Sequence, residues 1–308
     1  MNKIAIAVHG GAGPDSTYIH ENIEGYKQGL ANAVNAGYAV LEEGGSAADA
    51  VEAAIRVMED NEHFNAGRGS ALNEDGHVEM CASMMTGKDE NAGAVAVVRN
   101  VRNPISLAKA VLQHTKYSYL GAEGAIAFAK EQGLETEDEN YFITDHAREE
   151  LRKVKEEEQA DSMKANSPRR HGTVGAVALD SLGNLAAGTS TGGLDGCKQG
   201  RIADSSMIGV GTYAKNDTCA VSTTGEGEFH IRHVTAFHIA ALVEYKGMSV
   251  SEACQYLIHE KCKDIKADMG LIATDRTGEL VAAFNTERMH RGFRSSTQEL
   301  TVAIYPGE

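Results

Sequence analysis

His171-Gly172-Thr173-Val174-Gly175-Ala176-Val177-Ala178-Leu179-Asp180 is the stretch on which the reading of this chain turns. A densely charged run ends at Arg169-Arg170, and a strand pattern begins at Thr173. The pattern turns at Ser181-Leu182-Gly183 and returns as Asn184-Leu185-Ala186-Ala187-Gly188-Thr189-Ser190-Thr191-Gly192-Gly193. A short connection ending in Gly suits a hairpin whose last turn residue is left-handed. With Asp180 and Asn184 flanking the turn, antiparallel pairing sets Thr191 opposite Thr173, within one residue. Two hydroxyls then lie side by side at the open end of the hairpin.

That placement gains meaning if the bond between Gly172 and Thr173 is cut. Thr173 would then carry a hydroxyl and a free α-amine. Such an amine titrates near ~7.7–8.0 in model peptides, so part of it is neutral near pH 7. It can serve as the base for its own hydroxyl, the N-terminal threonine form of an activated nucleophile. Gly172 favours the cut because it tolerates unusual backbone angles and leaves its carbonyl open to attack. The plainer use of these threonines is β-propensity in an edge hairpin, and the hairpin alone does not choose between the two.

The rest of the composition narrows the field. The 308 residues suffice for one large domain or two small ones. No apolar run approaches the ~20 residues of a membrane span. The start, Met1 to Val8, runs directly into His9-Gly10-Gly11 without a small-residue cleavage site, and reads as a strand rather than a signal peptide. A net charge of -15 argues against nucleic-acid binding, which needs a basic footprint. The five cysteines are odd in number and lack CxxC spacing, which points to a reduced, cytoplasmic setting.

Along the chain, Lys3–Val8 reads as a buried strand feeding the glycine turn at residues 9–13. A phosphate-cradling reading of that turn fails, because Ser16 stands where a third Gly belongs and Pro14 breaks the helix start. Helical patterns follow over 21–43 and 46–59, the second opened by a capping box at Ser46. Strands are expected at 78–85 and 92–98, and helices at 104–115, 121–132 and 145–159. Ala220–Gly225 reads as a strand ending in a glycine turn, with a helix after it to about Tyr245. Ser249 caps another helix. Residues 270–273 and 279–284 form a second hairpin around Asp275–Gly278, and 300–305 a closing strand. His230, His233 and His238 have helical spacing but lack convergent acidic or Cys ligands, so they read as surface or core histidines rather than a zinc site.

Gly172-Thr173-Val174-Gly175-Ala176-Val177, followed by Thr189-Ser190-Thr191-Gly192-Gly193, resembles the plant-type asparaginase/isoaspartyl peptidase family of N-terminal nucleophile (Ntn) hydrolases. The resemblance runs in order from His9 nearly to the C-terminus. It implies a four-layer αββα sandwich, in agreement with the blocks of strands and helices. It implies a single domain, 1–308, cut into 1–172 and 173–308, with roughly 148–172 as a flexible charged approach to the scissile bond.

The resemblance also implies roles. Thr173 is the nucleophile and Thr191 orients it. Thr224 and Gly225 form the oxyanion hole. Arg201 and Asp204 clamp the α-carboxylate and α-amine of the substrate, where a bland reading would be a surface ion pair. Gly227 and Asn65 lie at the substrate. The His9-Gly10-Gly11 segment lies near the nucleophile. A structural sodium ion is implied at the main-chain carbonyls of Met58, Glu59, Asn61, Phe64, Ala66 and Arg68, and no cofactor for catalysis. L-Asparagine and β-aspartyl dipeptides are the implied substrates. A homodimer of processed protomers is the implied assembly, with no nucleic-acid or membrane partner. Rival readings are a glycosylasparaginase-like hydrolase, a threonine-aspartase-like protease, and an uncleaved scaffold.

Five positions depart from the family pattern. Ala203 stands for Gly, Ser206 for Pro, and Cys81 for Asp. Thr86 stands for an acid or amide, and Glu226 for a small residue or His, where it is placed to repel acidic leaving groups. If Asp at position 81 caps buried backbone donors, Cys81 leaves them poorly paired, at a cost on the order of 1–3 kcal/mol per group. Slow maturation is the expectation, against the alternative that the surroundings have repacked around a small thiol.

Overall fold

In β5 (Val174–Leu179) every residue is buried, and alternate residues serve two different cores. Val174, Ala176 and Ala178 pack toward helices, while Val177 and Leu179 face a second sheet. The period-two geometry of a strand makes this division. β1 (Ala5–Gly13) divides the same way, with Ile6 and Val8 on the helical side and Ala5 and Ala7 between the sheets.

The computed structural model describes residues 3–160 and 172–308. β1 is followed by α1 (Thr17–Glu21), α2 (Ile23–Glu42) and α3 (Ala47–Glu59), then β2 (Met80–Thr86) and β3 (Ala92–Val98). Next come α4 (Pro104–His114), β4 (Tyr119–Gly121), α5 (Ala122–Glu131), α6 (Glu139–Phe142) and α7 (Asp145–Ala160). After β5 come β6 (Leu185–Thr191), β7 (Thr212–Ala214), β8 (Ala220–Gly225), α8 (Gly227–His233), α9 (Thr235–Lys246) and α10 (Val250–Gln255). β9 (Met269–Thr274), β10 (Leu280–Phe284), β11 (Arg288–Ser295) and β12 (Gln298–Ala303) complete the order.

Eight strands form one sheet in the order β12-β11-β1-β5-β6-β2-β3-β4, and four form another, β10-β9-β8-β7. Helices α2 and α3 cover the outer face of the large sheet, and α9 and α10 pack with the small one. The result is the expected αββα sandwich. Alanines such as Ala5, Ala7, Ala187, Ala220 and Ala273 fill much of the space between the sheets.

The expected hairpin is present. Val174 pairs with Ser190 and Leu179 with Leu185, and Asp180 N donates to Asn184 O at 3.0 Å. Gly183 takes φ +80°.

Several elements differ from expectation. The 9–13 segment is not a free turn. It continues β1, bulging between His9 and Ala12 where it pairs with β11. The 21–43 helix is interrupted at Asn22, and the one expected to Tyr245 at Val234, which adopts φ +47°. Residues 145–160 of the charged run are helical, as their pattern indicates, which leaves no flexible approach there. The structureless approach expected after Asp161, up to His171, lies outside the described residues. β11 was not read from the sequence, nor were the short β4 and β7.

Candidate active site

The site is built where Gly172 enters β5. Thr173 is buried, and its Oγ1 donates to Thr191 Oγ1 at 3.3 Å. Thr191 Oγ1 donates in turn to Gly172 O at 3.0 Å and accepts from Gly193 N at 3.1 Å. The Gly172 carbonyl has a second donor, Asn65 Nδ2, at 2.9 Å. Asn65 is itself fixed: Nδ2 also reaches Gly193 O at 2.8 Å, and Oδ1 accepts from Ala71 N at 2.7 Å. The carbonyl preceding Thr173 is therefore held by two aimed donors while the Thr173 hydroxyl is oriented beside it. Donors placed on a carbonyl favour a developing oxyanion.

The bulged end of β1 closes over this point. A Cβ on Gly11 would lie 3.1 Å from Gly172 Cα and 3.5 Å from Thr173 N, and Gly11 has φ +108°. Its neighbour Ala12 donates from N to Thr224 Oγ1 at 3.4 Å, which brings β8 of the second sheet to the same end.

Thr224 and Gly225 end β8. Their peptide is set by His230, read from the sequence as a surface or core histidine: it is fully buried, with Nε2 3.0 Å from Thr224 O and Nδ1 3.1 Å from Thr235 Oγ1. A carbonyl only accepts, so Nε2 donates to it. Holding the Thr224 carbonyl fixes the plane of the Thr224–Gly225 peptide, whose N–H points the opposite way. Gly225 has φ +127°, and a Cβ there would stand 2.1 Å from Asp268 O, so only glycine fits. His233 stacks on Phe229, and His238 contacts Lys261 Nζ at 2.9 Å; the three histidines do not gather.

Beneath the hairpin runs a chain of buried hydroxyls. His9 Nε2 meets Ser222 Oγ at 2.9 Å, and Ser222 Oγ meets Thr189 Oγ1 at 2.7 Å. Thr212 Oγ1 donates to Thr189 Oγ1, and Ser83 Oγ lies within 2.8 Å of Thr212 Oγ1 and 2.6 Å of Ser205 O. The chain spans both sheets and ends next to Asp204. Burial lowers the His9 pKa to about 3, against the opposing influence of the Thr173 backbone, so the ring is neutral near pH 7.

Arg201 and Asp204, read from the resemblance as a clamp, both lie against Gly227. Asp204 is buried and Thr223 Oγ1 lies 3.4 Å from its Oδ2. Burial raises its pKa, while His230 and Arg201 oppose that shift. A Cβ on Gly227 would sit 2.6 Å from Asp204 Oδ1 and 2.9 Å from Arg201 Nη2. The missing side chain of Gly227 thus leaves a space bordered by a carboxylate and a guanidinium. Such a space suits the ammonium and carboxylate of a free amino acid.

Three of the five departures form one cluster. Cys81 is buried against Ala203, Ala96 and Val97, and it pairs across the sheet with Thr191. β3 bulges here, with two residues, Ala96 and Val97, opposite Cys81, and Val97 has φ +56°. Burial raises the thiol pKa; the backbone N–H groups of Ala203 and Val97 and the Ser206 side chain face the sulfur and oppose that rise. The donors expected around position 81 therefore exist and meet a weak acceptor. Ser206 Oγ also bonds Tyr119 and donates to Ala203 O at 3.0 Å. Thr86 lies apart, at the end of β2, donating to Asp89 Oδ1 at 2.6 Å.

The 58–68 loop fits main-chain ligation of a hard cation in kind. A Cβ on Gly69 would fall 2.5 Å from Glu62 O and 2.8 Å from Phe64 O, and one on Gly67 2.3 Å from Glu59 O, so these carbonyls turn inward. The Glu59 and Asn61 carbonyls each accept one backbone N–H, which leaves a second lone pair on each. The Glu62 carbonyl was not among those expected.

Comparison with known proteins agrees with the geometry. The asparaginase family profile matches residues 2–304. The isoaspartyl peptidase of Salmonella typhimurium is 40% identical, covering 99% of this chain and 99% of its own length. The isoaspartyl peptidase/L-asparaginase of Homo sapiens is 42% identical over 94% of this chain and 92% of its own. The isoaspartyl peptidase of Escherichia coli is 39% identical, over 99% and 97%.

Proposed function

The chain belongs to the asparaginase family, and from that premise we propose that it is an autocatalytically processed amidohydrolase acting on L-asparagine and β-aspartyl dipeptides. The observation that carries this reading is the arrangement at Gly172–Thr173: an oriented hydroxyl beside a carbonyl gripped by Asn65 and Thr191.

In the processing step, Thr173 Oγ1 attacks the Gly172 carbonyl carbon. The oxyanion is held by Asn65 Nδ2 and the Thr191 hydroxyl. The C–N bond breaks as the C–O bond forms, and the hydroxyl proton ends on the Thr173 nitrogen. Water then hydrolyses the ester, leaving a carboxylate on Gly172 and a free amine on Thr173.

In turnover, Arg201 and Asp204 hold the α-carboxylate and α-ammonium across the space at Gly227. The Thr173 amine takes the hydroxyl proton as Oγ1 attacks the β-carbonyl. Thr224 and Gly225 stabilise the oxyanion. The amine returns the proton to the departing nitrogen, and water releases aspartate from the acyl-enzyme. Cleavage also frees Asn65 Nδ2 from Gly172 O, which supports its place beside the substrate.

Three further parts belong to the proposal. A structural sodium is held by the carbonyls of the 58–68 loop and takes no part in the chemistry. The setting is cytoplasmic, supported by five cysteines that are all free. The processed protomers form a homodimer, supported by the exposed apolar side chains of Ile202, Val234 and Phe237. No helix among the described residues is long and apolar enough to cross a membrane.

The test is Thr173→Ala. It is expected to remain a single band on a denaturing gel and to release no ammonia from L-asparagine. Residual hydrolysis by the pure variant would refute the nucleophile assignment.

A further inference from the structure

In the substrate-free chain the Arg201 guanidinium already holds a carboxylate. Glu228, in the first turn of α8, accepts from Arg201 Nε at 2.8 Å and from Nη2 at 3.0 Å. This is a side-on grip, and it fills one of the two edges with which a guanidinium binds a carboxylate in parallel. The other edge carries Nη1 and the second hydrogen of Nη2.

Two glycines show where that edge lies. A Cβ on Gly193 would be 3.8 Å from Nη1, and one on Gly227 would be 2.9 Å from Nη2. The Nη1–Nη2 edge, which has no bonded partner among the described residues, therefore lies against Gly193 and Gly227, on the side of Asp204. Arg201 is mostly buried, with 15% of its side chain exposed, whereas the Glu228 side chain is 56% exposed. Glu228 can hold the guanidinium from the rim without entering the site.

Two consequences follow from general physics. A long side chain loses rotamer freedom when it grips a ligand, and a partner that restrains it beforehand lowers that cost. Charge matters as well. Arg201 supplies one positive charge against two carboxylates, Asp204 and Glu228. Both carboxylates oppose a ligand that brings only a carboxylate, and an ammonium on the same ligand offsets that opposition.

We propose that Glu228 is a positioning and specificity residue of the clamp: it pins Arg201 side-on so that the Nη1–Nη2 edge receives the substrate α-carboxylate, and its charge makes the α-ammonium a requirement. This rests on the reading of Arg201 and Asp204 as the clamp. The opposite role, a self-competitor that must leave before substrate enters, predicts the opposite sign and is read out by the same experiment.

The experiment compares fully processed wild type with E228Q, E228D and E228A on a β-aspartyl dipeptide, measuring kcat and KM separately. Inhibition by L-aspartate and by succinate, its des-amino counterpart, is measured in parallel. Self-cleavage should be unchanged in all three variants. KM should rise about tenfold in E228Q and E228A with kcat within about threefold, because a ground-state contact is lost. E228D, which keeps the charge, should recover part of the affinity. The preference for aspartate over succinate should narrow in E228Q. An unchanged or lowered KM in E228Q, or an unaltered aspartate-to-succinate ratio, overturns the proposal. Arg201→Lys serves as the separate control: near-normal kcat/KM there would sink the clamp itself. A large loss in Arg201→Lys with an unchanged KM in E228Q would sink only the role of Glu228.

Discussion

At Gly172 the carbonyl is polarised by Asn65 and Thr191 before anything attacks it, so the processing rate should depend on both donors. Asn65→Ala is expected to slow conversion of precursor to fragments by on the order of 10²-fold, the usual cost of one oxyanion donor, as read from a gel time course. Cys81 offers a second test. The Ala203 and Val97 N–H groups face its sulfur, and a carboxylate would accept from them more strongly. Cys81→Asp should raise the melting temperature by an amount worth about 1–3 kcal/mol and speed cleavage. A lower melting temperature would show that the Ala203 methyl and Ser206 have closed the space. His9 gives a pH signature. Its pKa is lowered to about 3 from an ordinary 6.5, so the folded state binds fewer protons than the unfolded state between those values. Its contribution to stability is complete above pH 6.5 and is lost as pH falls toward 3. His9→Gln should flatten that part of the melting-temperature profile. At this scale the placement of Thr173 beside Thr191 was legible in the sequence because hairpin alternation and turn chemistry set that register, whereas the roles given to Arg201 and Asp204 came from the resemblance. Glu228 and His230 were not, because what they do depends on which atom of another element they reach.

At the scale of elements, β5 packs against β8 of the second sheet. A Cβ on Gly175 would stand 2.0 Å from Ser222 Oγ and 2.3 Å from His9 Nε2. Both atoms belong to the buried hydrogen-bonded chain between the sheets, so moving either one strains or breaks its bonds. Gly175→Ala should destabilise the protein by roughly 1–3 kcal/mol, as overpacking does, and delay self-cleavage; a denaturant melt and a gel time course check both. The hairpin of β5 and β6 was legible because its alternation and turn chemistry agree. β11 was hidden because its buried positions include Arg288 and Arg291, whose charges mask the period-two pattern. The glycines at 10, 11 and 13 concealed the extension of β1, since glycine signals a turn whether or not a bulged strand uses it. The break at Val234 has no sequence signal, because a β-branched residue is a poor candidate for a left-handed cap.

The whole molecule is interleaved. β5 and β6 insert between β1 and β2, while β11 pairs with the other edge of β1. A cut after Gly172 therefore yields two fragments that share one sheet and both cores. They should co-elute under native conditions and separate only in denaturant. The layered architecture was legible from the order of strand and helix blocks, but the sheet order was not, because it rests on pairings between residues far apart in the chain. The central claim is that this interleaving exists to present Thr173 as a new N-terminus. N-terminal sequencing of the smaller fragment of the mature protein tests it most directly. The expected sequence begins Thr173-Val174-Gly175-Ala176. A chain that stays whole after prolonged incubation, or a fragment that begins at any other residue, would contradict it.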